Sequence, residues 1–532
     1  MARCTTALRA LRGLRAPSAP GALLLLLALV QSSYERDVYH KSLRGAAIPS
    51  SGVPEVELDP QYWAAEAQAA ITARLAQEES VKKARNVVMF LGDGMSVPTL
   101  AAARTLLGQR RGATGEEAQL AFEKFPTVGL AKTYCVDAQV ADSACSATAY
   151  LCGAKANLAT IGVSGRVVRN HCWAARDPAH HVHSIAEWAL SDGRDAGIVT
   201  TTRVTHASPA GAYAHTAERD WESDADVARD CTGAGAQDDI ALQLVHSHPG
   251  DQFKVILGGG RRELLPNTTI DEEGSKGRRI DGRNLIEEWQ QNKKARNVSY
   301  QYVWNREQLM DAAADLPEYL LGLFEGSHMQ YHMQADADTE PTLAELTEVA
   351  IRSLSRNKKG FFLFVEGGRI DHAHHDNLAQ LSLDEAIQLS EAVARASALL
   401  SEDDSLLLVT SDHAHVMSVS GYSARGRDIL GPSDDVGDDG VPYMTLSYAN
   451  GPGYRPQVAD REDLSKHDYH DVSFPFPSSV PLESETHGGD DVAVFARGPH
   501  HSMFTGLYEQ SQLPHLMAYA ACIGPGRHAC QH

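Results

Sequence analysis

Short apolar runs that alternate with helical stretches constrain the fold of this 532-residue chain more than any other feature. Each run is five or six residues long and ends near glycine or a polar residue, as buried strands do. Buried strands that alternate with helices predict an α/β domain with a large, mainly parallel central sheet. The runs cover 86–91, 197–201, 255–259, 360–365 and 405–409, and the helical patterns between them cover 183–191, 341–356 and 384–400.

Acidic side chains follow three of these predicted strands. Asp93, Glu366 and Asp412 each come directly after an apolar run. Ligand sites in parallel sheets lie beyond the carboxyl ends of the strands, so we expect the three carboxylates to meet at one edge of the sheet.

The segment 365–375 places several ionisable groups behind a predicted buried strand, where they are costly unless they are paired or bind a metal. Asp371 and His375 are four residues apart, so on a helical turn they point the same way and suit one ion. A solvated histidine-rich loop is the alternative interpretation. Asp412 and His413 form a second group of this kind. A lone histidine such as His487 is normally a polar surface residue. It is a candidate ligand here because the two groups need a further ligand to complete their shells.

Two turns carry further candidates. Asp93 lies between glycines, which lets the backbone and ions approach closely, although a simple Asx turn would have the same residues. Ser143 follows Asp142 and precedes small residues in a pattern typical of a helix start, where backbone amides can hold a phosphoryl group.

The charge of the chain limits its partners. A formal net charge of -21 argues against nucleic-acid binding, which needs clustered lysine and arginine. The same charge would repel an anionic substrate at long range, so a phosphate ester would need local cations.

Residues 1–33 have the layout of a secretory signal peptide, with four arginines before an apolar run at 22–30. That run is too short to span a bilayer comfortably, and a mitochondrial leader is the alternative. The sequons at Asn267 and Asn297 agree with the secretory route. We therefore expect a secreted or extracellular, glycosylated protein.

Seven cysteines remain when Cys4 is set aside, so at least one thiol has no partner within the chain. In an oxidising compartment, Cys522–Cys530 is an easy local pair and Cys172–Cys231 could close a long loop. The roles of Cys135 and Cys145 stay open. None of the cysteines forms a CxxC zinc-ribbon arrangement, so any metal must be held by histidine, carboxylate and hydroxyl groups.

Six blocks in this order resemble the animal alkaline phosphatases, over about residues 55–530. The resemblance implies hydrolysis of phosphate monoesters through a phosphoserine on Ser143, and a sheet flanked by helices on both faces. It also implies a homodimer and a catalytic domain at 81–530. The helical pattern at 60–79 predicts an N-terminal arm at 55–80. The frequent Gly, Pro, Ser and Asp of 417–480 indicate a crown-like insert, within which 443–448 has the pattern of a strand. The blocks are residues 91–95, 136–144, 200–211, 366–375, 412–413 and 485–487.

The resemblance also assigns ligands, residue by residue, to two zinc ions and one magnesium ion per chain. Zinc accepts mixed histidine and carboxylate sets, whereas magnesium prefers oxygen ligands, and the implied sets divide in this way. The resemblance implies Asp371, His375 and His487 for the first zinc; Asp93, Asp412 and His413 with Ser143 for the second; and Asp93, Ser208 and Glu366 for magnesium. It places His206, His372 and His415 beside these ligands and makes Arg219 the phosphate clamp.

The family also implies a calcium site. Its ligands here would be Glu325, Glu340, the carbonyl of Phe324 and one acidic residue of 271–273, for which we take Glu272. An acidic surface patch is the alternative.

Two departures from the family stand out. Cys145 occupies a position where glycine is familiar, two residues after Ser143. The hydrophobic tail that the membrane forms exchange for a glycolipid anchor is not seen, and we expect neither a transmembrane helix nor a C-terminal anchor signal in this sequence. Either this form is soluble, or the sequence is an incomplete or alternative product, and a longer anchored form would lie at the cell surface.

Sulfatases and nucleotide phosphodiesterases have related metal sites and are rival enzyme classes. Ser143 lacks the Cys/Ser-x-Pro-x-Arg setting of a sulfatase, and Ser208, Glu366 and Arg219 favour a monoesterase over a diesterase. A catalytically silent, secreted metal-binding protein is the rival from another class.

Overall fold

The computed structural model describes residue 56 and residues 82–231, 237–456 and 461–530. The predicted signal peptide at 1–33 and the predicted arm at 55–80, apart from Val56, lie outside the described residues. The compact unit that contains the described residues is Gly52–His532.

Seventeen strands, β1 to β17, form four sheets within the described residues. In chain order they are Asn86–Gly92, Thr127–Lys132, Asp195–Arg203, Val255–Gly259, Tyr300–Val303, Tyr319–Leu323, Phe361–Gly367, Ser405–Thr410, Ala414–His415, Met417–Val419, Pro432–Val436, Pro442–Met444, Leu446–Gly451, Ser478–Pro481, His487–Gly488, Val492–Arg497 and Gly506–Glu509.

Helices connect most of these strands. The α-helices are Val97–Arg110, Ser143–Cys152, Ile185–Ser191, Ala207–Ala210, Asp224–Asp230, Ile240–His246, Arg261–Leu264, Leu285–Ala295, Arg306–Ala314, Leu343–Leu354, Arg369–His375, Ala379–Leu399 and Leu513–Ala521. Short 3₁₀ helices are Ala121–Lys124, Ala174–Arg176, Pro178–His180, Gly250–Gln252, Leu464–Lys466, His501–Phe504, Gln510–Gln512 and Gly524–Cys530.

Ten strands form the central sheet, in the order β17-β2-β16-β8-β1-β7-β3-β4-β6-β5. All neighbouring pairs are parallel except those of β16, which runs antiparallel to β2 and β8. The predicted large, mainly parallel sheet is therefore confirmed. β1 lies between β7 and β8, so the three strands that precede the predicted acidic site are direct neighbours.

Side chains of the central strands point alternately to the two faces of the sheet, so the hydrophobic core has two parts. Val88 and Phe90 of β1 pack into one hydrophobic cluster with the helices Val97–Arg110, Leu343–Leu354 and Ala379–Leu399. Val87 and Met89 pack into the other with Ser143–Cys152, Ile185–Ser191 and Leu513–Ala521. Because successive side chains of a strand point to opposite faces, a continuous apolar run needs helices on both faces, as predicted.

The segment 417–480 forms two small sheets of its own. One has the order β10-β13-β14, and the other pairs β11 with β12. The sequence pattern at 443–448 suggested a single strand, but the structure divides it between β12 and β13 at Thr445. The two halves pair with different partners, β11 and β10, so one continuous strand cannot form there.

Two disulfides lie within the described residues. Cys172 is bonded to Cys231, and Cys135 to Cys145, a pair that the sequence left open. Cys522 is also disulfide-bonded, whereas the side chain of Cys530, its predicted partner, lies outside the described part. Cys152 is free and buried.

Among the described residues, no helix has the length and apolar content needed to cross a bilayer.

Candidate active site

The three predicted carboxylates meet at the carboxyl ends of adjacent strands. Leu91 of β1 is in register with Glu366 of β7 and with Thr410 of β8, which brings Asp93, Glu366 and Asp412 to the same edge of the sheet. All three residues are 0% exposed. Parallel register is therefore the direct cause of the convergence.

Burial raises the pKa of Asp93 well above its ordinary value, and the charges of Asp412, Asp371 and Glu366 raise it further. Burial likewise raises the pKa of Glu366 to about 7, against the hydrogen bond from Thr200. Like charges without water around them are unstable unless cations compensate them. The electrostatics of this edge therefore favour the uptake of protons or of cations.

One group of ligand atoms surrounds the hydroxyl of Ser143. The Ser143 Oγ lies 3.4 Å from Asp93 Oδ1 and 3.3 Å from His413 Nε2. His413 Nε2 in turn lies 3.1 Å from Asp412 Oδ2, a buried oxygen without a hydrogen-bond partner. This group combines a carboxylate oxygen without a partner, an imidazole nitrogen and a hydroxyl. Such a set of ligands fits a zinc ion.

A second group consists of Asp371, His375 and His487. The Nε2 atoms of His375 and His487 are 3.2 Å apart, and each lies 3.3 Å from an oxygen of Asp371. The Nδ1–H of His375 donates to the carbonyl of Glu485, and that of His487 to the carbonyl of Ala141, so both Nε2 lone pairs face each other. This tautomer is the one that ligates a metal, and the residues fit a second zinc ion.

His415 lies directly behind the second group. Its Nε2 is 2.6 Å from Asp371 Oδ1, and its Nδ1 contacts the carboxylate of Glu485. Burial opposes the charged form of His415, but Asp371 and Glu485 raise its pKa to about 10. Glu485 thus orients His375 through its carbonyl and His415 through its carboxylate, a role that sequence reasoning missed although 485–487 was singled out.

An oxygen-only group lies on the other side of Asp93. Ser208 Oγ is 3.5 Å from Asp93 Oδ2. Glu366 Oε2 accepts hydrogen bonds from Thr200 and Thr202, whereas its buried Oε1 has no partner. Hydroxyl and carboxylate oxygens with one orphaned acceptor fit magnesium.

The start of the helix Ser143–Cys152 places the serine. Asp142 is the N-cap and accepts from the backbone N–H of Cys145 at 3.2 Å. Its other oxygen accepts from Arg219 Nη1 at 3.0 Å. Burial opposes the charged form of Asp142, but the Arg219 charge lowers its pKa. One carboxylate therefore orients both the serine and the arginine.

Three imidazoles, those of His206, His328 and His372, lie close together, and the first of them contacts Arg219. His206 Nε2 lies 3.3 Å from Arg219 Nη2, and His372 Nδ1 lies 2.8 Å from Arg369 Nη1. His328, which sequence reasoning missed, contacts Arg203 and packs 4.3 Å from His372, centroid to centroid. Burial lowers the pKa of all three, that of His372 to about 3, so these rings are neutral.

The predicted calcium ligands are only partly brought together. Burial raises the pKa of Glu340 to about 8, and the charges of Glu325 and Glu273 contribute. The side chain of Glu272, the residue we took from the acidic run, is 43% exposed and lies 3.8 Å from Arg261. Glu273 is among the charges that raise the pKa of Glu340, and Glu325 is among those that raise the pKa of Glu273, so the acidic run at 271–273 stays the predicted source of the fourth ligand.

A family model described as alkaline phosphatase matches residues 84–523 of this chain. The chain belongs to the alkaline phosphatase family. Its members are metal-dependent phosphomonoester hydrolases, and the resemblance inferred from the six blocks is confirmed.

Relatives from insects and vertebrates cover nearly the whole chain. The membrane-bound alkaline phosphatase of Bombyx mori is 59% identical over 501 residues, which are 93% of this chain and 91% of that protein. The tissue-nonspecific alkaline phosphatase of Homo sapiens is 45% identical over 493 residues, 91% of this chain and 93% of that protein.

Solved alkaline phosphatases share the fold at lower identity. The Thermus thermophilus enzyme has a TM-score of 0.59 and 23% identity, and the match covers 84% of this chain and 93% of that one. A mutant of the TAB5 enzyme, described with Mg bound in its M3 site, has a TM-score of 0.59 and 21% identity, covering 84% of this chain and 99% of that one.

Proposed function

We propose that this alkaline phosphatase family member hydrolyses phosphate monoesters to an alcohol and inorganic phosphate through a phosphoserine on Ser143. One observation carries the proposal. The Ser143 hydroxyl lies at a helix start, 3.3 Å from His413 Nε2 and 3.4 Å from Asp93 Oδ1, within the buried ligand group that fits zinc.

We assign zinc to the two groups that contain histidine, and magnesium to the group that contains only oxygen ligands. Asp371, His375 and His487 hold one zinc; Asp93, Asp412 and His413 hold the other; and Asp93, Ser208 and Glu366 hold magnesium. When bound, such ions lower the pKa of a coordinated hydroxyl or water and stabilise developing negative charge. Calcium, the fourth assigned ion, belongs with Glu325, Glu340, the carbonyl of Phe324 and the acidic run at 271–273.

Two side chains of the protein act directly on the phosphate group, Ser143 as the nucleophile and Arg219 as the phosphate ligand. The Ser143 hydroxyl gives up its proton as Oγ attacks phosphorus, and the alcohol oxygen takes up a proton as its bond to phosphorus breaks. Water later cleaves the phosphoserine, which restores the hydroxyl and releases inorganic phosphate. Arg219 holds two nonbridging oxygens with its planar fork. Burial opposes its charge, but Asp142 raises the pKa of Arg219, which keeps the guanidinium charged. Arg219 and the assigned metal ions supply the local positive charge that an anionic substrate needs on a chain with a net charge of -21.

Three aryl substrates test this function on the purified chain at alkaline pH. We expect rapid release of the aryl alcohol from a phosphate monoester, and much slower release from the matching phosphate diester and sulfate ester. Faster turnover of the diester or the sulfate would contradict the proposal, and no turnover of any of them would favour the silent metal-binding protein.

Replacing Arg219 by alanine should weaken inhibition by inorganic phosphate about 10- to 100-fold, the cost of losing charge-assisted hydrogen bonds. Metal content should change little, because Arg219 contacts Asp142 and His206 rather than the proposed zinc ligands. The measurement is the phosphate inhibition constant together with zinc analysis. Arg229→Ala is the control, since this arginine is 56% exposed and pairs with Asp226. Unchanged phosphate inhibition in Arg219→Ala would refute the clamp.

We further propose that the protein is secreted or extracellular and forms a homodimer, with contacts through 55–80 and 417–480. The two disulfides require an oxidising compartment, and both Asn267 and Asn297 are exposed. A monomeric mass by light scattering would exclude the dimer, and an unchanged mass after enzymatic deglycosylation of the secreted chain would exclude glycosylation.

A further inference from the structure

The disulfide Cys135–Cys145 closes the loop that leads into the proposed nucleophile. Cys135 lies three residues beyond β2, and Cys145 lies in the first turn of the helix Ser143–Cys152. Both cysteines are 2% exposed, and their Cα atoms are 5.8 Å apart. The crosslink therefore ties the start of the nucleophile helix to the segment that directly follows β2 of the central sheet.

Three consecutive residues of this loop contact three different parts of the site. The carbonyl of Ala141 accepts from His487 Nδ1 at 2.8 Å, which sets the tautomer of a proposed zinc ligand. The carboxylate of Asp142 accepts from Arg219 Nη1 at 3.0 Å. Ser143 follows with the hydroxyl that faces Asp93 and His413.

The middle of the loop is not anchored in the core. Val136 is 55% exposed and Val140 is 38% exposed. The backbone N–H of Val136 donates to the carbonyl of Ala156, the Asp137 carboxylate accepts from the N–H of Leu158, and Asp142 Oδ1 accepts from the N–H of Ala159 at 3.0 Å. The neighbouring segment 156–159 therefore supports the two ends of the loop but not its middle. The far end of the loop is tied covalently at Cys145, two residues after the serine.

We propose that the Cys135–Cys145 disulfide is a positioning element of the active site, which holds Ala141, Asp142 and Ser143 in register with His487 and Arg219. The proposal rests on the function proposed above. A crosslink over ten residues restricts the open conformations of the loop, so each of the three contacts costs less entropy to maintain. The hydrogen bonds of Ala141 and Asp142 do not themselves need the crosslink to form, so its loss should weaken the site rather than abolish it.

The test is the full chain with Cys135→Ser and Cys145→Ser together, compared with wild type and with Cys152→Ala. Cys152 is a matched control because it is a buried, free cysteine at the other end of the same helix. Three quantities are measured: the phosphate dissociation constant by calorimetry, the rate of zinc release to a chelator, and the melting temperature. The phosphate dissociation constant and the rate of zinc release are measured without turnover. The role of the disulfide is therefore tested separately from the hydrolysis of phosphate esters.

We expect the double variant to bind phosphate about tenfold more weakly and to release zinc about tenfold faster, as when one charge-assisted hydrogen bond is weakened. Cys152→Ala should match wild type in both. A double variant that loses only melting temperature, with phosphate binding and zinc release unchanged, would overturn the proposal.

Should the double variant fail to fold, the folded wild type is treated with a phosphine. The phosphine reduces the disulfide to two thiols, is oxidised to its oxide and takes its oxygen from water. The thiols are alkylated, and mass spectrometry identifies which disulfide has opened. Unchanged phosphate binding and zinc release in chains opened at Cys135–Cys145 would equally overturn the proposal.

Discussion

Replacing Ser143 by alanine is expected to lower kcat for an aryl phosphate monoester by about 10⁴-fold, the scale on which loss of a catalytic nucleophile acts. The reason is that no phosphoserine can form without the hydroxyl. The zinc content should stay close to wild type, because Asp93, Asp412 and His413 remain in place. The measurement combines steady-state kinetics with metal analysis of the same sample.

Ser146→Ala is the control for that experiment. Ser146 lies in the same helix, is 1% exposed and donates its hydroxyl to the carbonyl of Asp142 at 2.9 Å. Its loss disturbs the helix start without removing the proposed nucleophile, so kcat should fall only a few-fold. Full activity in Ser143→Ala, or equal losses in the two variants, would refute the assignment of the nucleophile.

Removal of the metals by chelation is expected to reduce turnover to below about 1% of its starting value, because the ions supply the charge stabilisation in the site. The melting temperature should fall as well, since ions that bind only the folded chain stabilise it. Without them, the buried Asp93, Glu366 and Asp412 repel one another. Zinc and magnesium together should restore full activity, and zinc alone only part of it.

The magnesium assignment has its own control in Glu366→Gln. This change removes the charge of a carboxylate whose Oε1 has no hydrogen-bond partner. In the variant, magnesium added after zinc should give little further recovery. Complete recovery of the wild type with zinc alone would show that the site at Asp93, Ser208 and Glu366 is not needed for turnover.

Local sequence was sufficient for the fold class and for part of the site. Apolar runs predicted β1, β3, β4, β7 and β8, because strands buried on both faces have no polar side to interrupt them. The convergence of Asp93, Glu366 and Asp412 followed from the strand ends alone. The pairing of Asp371 with His375 followed from four-residue spacing, and the structure places both on the helix Arg369–His375.

The resemblance to a family, rather than any local pattern, singled out Arg219 and Ser208 and assigned His487 to one particular zinc ion. Their partners are distant in the chain: Arg219 and Asp142 are 77 residues apart, and His487 and Ala141 are 346 apart. Periodicity within one segment carries no information about such contacts.

Only the tertiary structure decided which cysteine faces Cys135 and that Glu485 orients two histidines. Each of these depends on which way a side chain points once distant segments have packed. Sequence by itself determined which elements form and which chemical groups they carry. The packing of those elements decided the register between groups, because hydrogen bonds and metal ligation require contacts of a few ångströms that local propensity cannot specify.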